Sequence, residues 1–143
     1  MRLWHIDLIQ YLPTSQLKAQ WSELNSIFKK QDNHILINYI YDYPKEFLFD
    51  YTCAVNNEMI KRKINIRNFE NYANYFNDLD MFEFMSDNEF KEHNDQYLLI
   101  CFMNLYEKYI RGQKDFTKEC FNRLYDFVNT KFDLKSLGIE KGE

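Results

Sequence analysis

Three glycines and two prolines are all that punctuate this 143-residue chain, and that scarcity constrains its fold more than any other feature. An all-β protein needs a turn signal about every 8–12 residues, so that class is excluded. Glycine-rich phosphate loops are excluded on the same ground, and with them a Rossmann fold and a P-loop. What remains is a chain of long periodic segments, the pattern of an all-α protein. With 45% hydrophobic residues it can bury a core without covalent staples. Its three cysteines, Cys53, Cys101 and Cys120, are odd in number and widely spaced, which fits reduced, buried thiols in a cytoplasmic protein. No run approaches the ~20 apolar residues of a membrane span, and the N-terminus lacks a signal-peptide core, so no membrane partner is expected.

Four segments carry helical periodicity. Thr14 or Ser15, just after Pro13, can cap a first helix whose apolar stripe is Leu17, Trp21, Leu24 and Phe28. A second begins near Pro44, runs through Phe47, Tyr51, Ala54, Val55 and Met59, and ends in the basic run at residues 61–63, which suits a helix C-terminus. Asn94 or Asp95 caps a third, with the stripe Leu98, Cys101, Phe102, Leu105 and Tyr109 and a stop at Gly112. The fourth opens at Asp115 or Thr117 and presents Phe116, Cys120, Leu124, Phe127 and Val128. Between the second and third, residues 68–90 form an aromatic, Asn-rich stretch with room for one short helix and a loop. No repeat or linker is visible. The expectation is one compact α-helical domain over 1–143, with four main helices and an N-terminal segment packed against them.

Charge divides the chain. Residues 1–67 carry a net +2 and residues 68–143 a net −6, within an overall −4. Seven acids and one base, Lys91, fall between residues 78 and 95, a run that reads as a solvated loop and would repel a phosphate backbone. An acidic total argues against an unaided nucleic-acid binder, and any DNA must meet the N-terminal half.

Few residues suggest chemistry by spacing alone. Glu23 lies between Trp21 and Leu24, at the edge of the apolar stripe, where a half-buried carboxylate can have its pKa raised into a range useful for proton transfer; the same spacing also suits an ordinary surface glutamate. His5 with Asp7 and His93 with Asp95 form His-x-Asp pairs, and His34 stands alone; none matches a zinc pattern, so no metal or other cofactor is expected. Tyr39, Tyr41 and Tyr43 alternate, either as core or as a stacking surface for unpaired bases.

The order of residues adds more. Asp7-Leu8-Ile9, Leu12, Leu17, Ala19, Trp21, Glu23-Leu24 and Phe28 resemble the opening of phage members of the pyrimidine-dimer DNA glycosylase family, and Met1-Arg2-Leu3-Trp4-His5 resembles its bacterial members. With a small offset the similarity resumes at Tyr41-Asp42, Glu46-Phe47-Leu48, Glu58-Met59-Ile60-Lys61-Arg62 and Ile64-Asn65-Ile66, covering roughly the first 66 residues. Glu92-His93-Asn94-Asp95-Gln96-Tyr97-Leu98 is similar to the bacterial members alone.

The resemblance implies an α-helical base-excision enzyme acting on double-stranded DNA with damaged pyrimidines. Its nucleophile is the α-amine at the start of the chain, which attacks the sugar C1′ carbon; the imine formed is resolved by β-elimination, cutting the strand. A first-helix glutamate, matched by Glu23, stabilises the cationic intermediate and handles protons. As a class, α-amines titrate at about 7.7–8.0, well below a lysine, so more of the group is nucleophilic at neutral pH. Arg2 is too bulky to favour removal of the initiator residue, so the amine expected here is that of Met1. The family's arginines fall at Ser22, Ser26 and Leu3 in this chain, and a histidine at Gln16. Arg2, Lys18, Lys29, Lys30, Lys61, Arg62 and Lys63 are the cations left to bind DNA in their place. The contrasting reading is a non-catalytic helical protein that keeps the scaffold and binds a protein partner.

Overall fold

The computed structural model describes residues 1–79 and 88–143. Among these residues there are five α-helices and no strands: α1 (Thr14–Lys29), α2 (Lys45–Lys61), α3 (Phe69–Tyr75), α4 (Asp95–Ile110) and α5 (Lys118–Asn129), with 3-10 turns at Ile6–Tyr11, Asn38–Asp42 and Lys135–Leu137. The all-α expectation holds. The four periodic segments are α1, α2, α4 and α5, and the short helix of the aromatic stretch is α3. Part of the acidic run, residues 80–87, lies outside the described residues. No described helix is long and apolar enough to cross a membrane.

Local signals set most boundaries. The Asn94 side chain accepts from the Tyr97 N–H to open α4, and Gly112, at φ 85°, closes it with paired bonds from Gly112 N–H to Tyr109 O and from Gln113 N–H to Lys108 O. Thr117 caps α5 by accepting from the Cys120 N–H. The first helix departs from expectation, because neither Thr14 nor Ser15 caps it: Pro13 holds the cap position and makes no side-chain bond. Asp115 caps it from a distance instead, its carboxylate accepting the Ser15 N–H at 2.7 Å and hydroxyl at 2.8 Å. The α5 stripe also differs. Phe121 and Tyr125 are buried with Leu124 and Val128, while Cys120 and Phe127 lie half-buried at its margins. Phe121 is recruited by α4, its ring stacked on Tyr109 with centroids 4.0 Å apart.

Helix α1 packs on α2 and α3, and α4 pairs with α5. The Ile6–Tyr11 turn touches both α2 and α5, so the N-terminal segment wedges between the two groups. Leu3, Leu8 and Leu12 are wholly buried there. Burying a leucine side chain stabilises by about 1.5–3 kcal/mol, enough to hold this segment in place without regular structure.

The three cysteines are free, with Cys101 buried and the others half-buried. Burial pushes all three thiols upward, which keeps them protonated. The tyrosine ladder mainly fastens loops. Tyr39 bonds His93, Tyr41 accepts from the Asp32 N–H, and Tyr43 donates to Glu92 while accepting from the Lys91 N–H.

Candidate active site

Glu23 is on α1 one residue past the solvent-facing Ser22, so the helix turns its carboxyl half inward, toward the start of the chain. The Arg2 backbone N–H donates to it, and the Met1 ammonium, the Arg2 guanidinium and Lys108 of α4 are its electrostatic neighbours. Burial pushes the carboxyl above its usual range, and these four donors and cations pull it back only in part. Met1 is 36% exposed, so the amine stands at the mouth of this cluster rather than within the core. The amine is thus an electrostatic neighbour of Glu23, with no ion pair between them within 4.0 Å, and solvent lies on one side.

The second part of the site lies on the exposed face of α1. Lys18, Ser22, Ser26 and Lys29 are all exposed and line a cavity of about 580 Å³ whose far wall is Lys63, Ile64, Asn65, Arg67 and Asn68. Among the described residues four cations ring it and no acid lines it. The wall is built with some strain. Lys63 (φ 61°) and Asn68 (φ 59°) are the positive-φ residues other than glycine among the described residues, a conformation that is costly for a β-carbon. Lys63 takes it as the terminator of α2, with Lys63 N–H bonded to Ile60 O and Ile64 N–H to Met59 O, the arrangement glycine usually serves. The indole N–H of Trp21 then ties the wall to α1 by donating to Arg67 O at 2.7 Å.

The cations named from sequence therefore separate. Lys18, Lys29 and Lys63 converge on the cavity, joined by Arg67, which the sequence reading missed. Lys30 is exposed beside a neighbouring groove lined by Tyr41, Tyr43, Lys45 and Tyr75. Arg2 stays with Glu23, its guanidinium 5.9 Å from the ring centres of both Trp4 and Tyr97. Lys61 and Arg62 line a different groove, with Asp115 and Arg123. Arg62 is also occupied internally, bonding Glu58 at 2.8 Å, Leu12 O at 2.7 Å and Gln10 O at 3.0 Å. That geometry clamps the N-terminal turn onto α2.

No group of three or more metal-ligating side chains occurs among the described residues. His5 and His93 are neighbours, with ring centres 5.4 Å apart, and each gives its Nδ1 to a backbone N–H: His5 to Asp7 and His93 to Ile6. Burial, with His5 close by, lowers His93 to about 3, so it is neutral at ordinary pH. With Nδ1 accepting, the ring proton sits on Nε2 and faces the Tyr39 oxygen at 2.7 Å.

Helix α4, in the acidic half, also reaches the site. Tyr97 donates to Leu3 O at 2.5 Å, and Lys108 is one of the cations acting on Glu23. Neither had a local sequence signal, since each meets its partner only across about 90 residues of chain.

No curated protein and no solved structure matches the chain. A family model does: residues 1–70, which hold α1, α2, the amine, Glu23 and the basic cavity, match the family described as pyrimidine dimer DNA glycosylase. That match, to just under half of the chain, is a similarity to the pyrimidine dimer DNA glycosylase family.

Proposed function

We propose that the protein is a DNA-repair glycosylase with associated AP lyase activity on damaged pyrimidines in duplex DNA, with the Met1 α-amine as nucleophile and Glu23 as its acid–base partner. The observation that supports this reading is the electrostatic influence of the Met1 ammonium on a half-buried Glu23 whose carboxyl is held above its usual range.

In the reaction, the neutral amine attacks C1′ of the damaged nucleotide. The N–C1′ bond forms as the glycosidic bond breaks, and the base leaves with a proton. The ring C1′–O4′ bond then opens, O4′ taking the proton the amine gives up, and the resulting iminium carries positive charge near the Glu23 carboxylate, which stabilises it as a counter-charge. Glu23 is also placed to take the C2′ proton that starts β-elimination, which breaks the C3′–O bond and cuts the strand. Water then releases the sugar fragment and restores the amine.

The cavity beside α1 supplies the positive field this reaction needs. Lys18, Lys29, Lys63 and Arg67 are placed for phosphates on the face carrying Ser22 and Ser26, so these cations stand in for family arginines absent at those positions. A damaged site is also the easiest place to open a duplex, because its stacking is already weakened.

The test is strand nicking of ultraviolet-irradiated supercoiled DNA, with unirradiated DNA as control. The reading expects nicks in proportion to dose. Equal cleavage of both DNAs, or none of either at low salt, contradicts it.

A further inference from the structure

Gln20 is wholly buried, and its carboxamide is joined to Trp4, Tyr51, Arg2 and Glu23 on the core side of α1. Its Oε1 accepts from the Trp4 N–H at 2.8 Å and faces the Tyr51 hydroxyl at 2.9 Å. Its Nε2 donates to Arg2 O at 3.2 Å and to Glu23 Oε2 at 3.2 Å. All the bonding capacity of the amide is used. Its orientation is also settled: a backbone N–H can only donate, so the atom facing Trp4 is the oxygen, and the N–H pair must face Arg2 and Glu23.

These contacts close a ring. The Arg2 N–H donates to Glu23, Glu23 accepts from Gln20, and Gln20 donates back to Arg2 O. The amine precedes that ring by one residue. Tyr51, itself buried on α2, holds the ring from below, its hydroxyl shared between Trp4 O at 2.6 Å and Gln20 Oε1. Because Gln20 and Glu23 are three residues apart on one helix, the rigid element that carries the carboxyl also carries the bracket.

We propose that Gln20 is a positioning residue that fixes the register between the Met1 amine and the Glu23 carboxyl, with Tyr51 orienting its carboxamide. This rests on the proposed amine chemistry. Reacting groups held together gain much of their rate from orientation, and a displacement of about 1 Å can cost about 100-fold. Gln20 acts through the Glu23 carboxylate it bonds and not on the amine or the sugar directly, so its influence is on the rate of imine formation and not on the binding of duplex.

The experiment is single-turnover borohydride trapping on a duplex with one abasic site, comparing wild type with Gln20→Met and Tyr51→Phe, alongside binding of the same duplex. Gln20→Met is expected to slow trapping about 100-fold and Tyr51→Phe about tenfold, with duplex Kd changed less than about threefold. A second readout follows the Glu23 side-chain carboxyl by NMR. Its titration midpoint is expected to rise in Gln20→Met, because a donor to the ionised form is lost. If Gln20→Met does not fold, Tyr51→Phe carries the test alone. Wild-type trapping matched by folded variants with an unmoved Glu23 midpoint overturns the role of Gln20 and leaves the functional reading intact. A wild type that traps nothing overturns both.

Discussion

His93 and Glu23 both grip the N-terminal segment, one at Ile6 and the other at Arg2, and both are disfavoured in their charged forms by burial. Their surroundings then diverge. His93 has both ring nitrogens engaged and, among the described residues, no carboxylate acting on it, so burial wins outright and the ring stays neutral. Glu23 is surrounded by the Met1 ammonium, the Arg2 N–H and guanidinium, and Lys108, and these return part of what burial takes away. Satisfaction on every side makes a clamp. A carboxyl kept short of full compensation, near an exposed amine, makes the proposed reactive centre. The family match to residues 1–70 covers Glu23 and the amine, whereas the His93 clamp comes from the other part of the chain.

Replacing the two residues should separate these roles. The largest effect expected is on activity. Glu23→Gln should lower strand nicking by about 10²–10³-fold, measured at equal folded fraction, because it removes the counter-charge and the base together. Its effect on stability should have the opposite sign. A carboxyl with a raised folded-state pKa binds its proton more readily folded than unfolded, so its ionisation opposes folding as pH rises through that range. Thermal melts of Glu23→Gln should therefore lie at or above wild type at pH 7, with the gap closing toward about pH 4. A clear loss of stability at pH 7 would make Glu23 a second clamp and end the contrast.

Next in size is the acid response of His93. Its pKa is depressed in the folded state and near 6.5 unfolded, so the unfolded chain takes up the proton first. Stability is complete above about pH 6.5 and declines as pH falls toward the folded value of about 3, by on the order of 1 kcal/mol per pH unit. Urea titrations between pH 7 and 4 should show that slope. In His93→Gln the overall stability should fall and the slope should flatten.

The cations allow a similar comparison within the basic surface. Lys63→Ala and Arg67→Ala should each weaken duplex binding and reduce the slope of log K against log salt by about 0.9. Arg62→Ala, which loses internal bonds, should lower stability and leave the salt slope unchanged. Equal salt effects from Arg62 and Lys63 would contradict the division. The smallest effect is expected for Tyr97→Phe. It removes one donor to Leu3 O and should reduce unfolding free energy by about 1–2 kcal/mol, read from denaturant melts.

What the sequence conveyed follows the range of each interaction. Helix α4 could be read from end to end, because its Asn94 cap, apolar stripe and Gly112 stop act within a turn or two of chain. The start of α1 could not, since its cap is Asp115, 100 residues away. Glu23 was visible as an edge position from spacing, and its partner only through resemblance to a family. Gln20 left a signal that went unused: a carboxamide three residues after Leu17 and four before Leu24 is a polar group on an apolar stripe, and such a group needs partners. Arg62 and Lys63 are adjacent and alike in sequence, yet one faces inward to three internal acceptors and the other turns outward at the helix terminator. Lys108 gave no hint, and Tyr97 only its place in a segment that resembles bacterial members of the family, as only folding brings α4 to the start of the chain.

The central claim is tested most directly by trapping the protein on an abasic duplex with borohydride and mapping the adduct by peptide mass. The account predicts a single adduct on the α-amine of Met1, strongly reduced in Glu23→Gln. An adduct on a lysine, or none at low salt while a known lyase traps the same duplex, contradicts it.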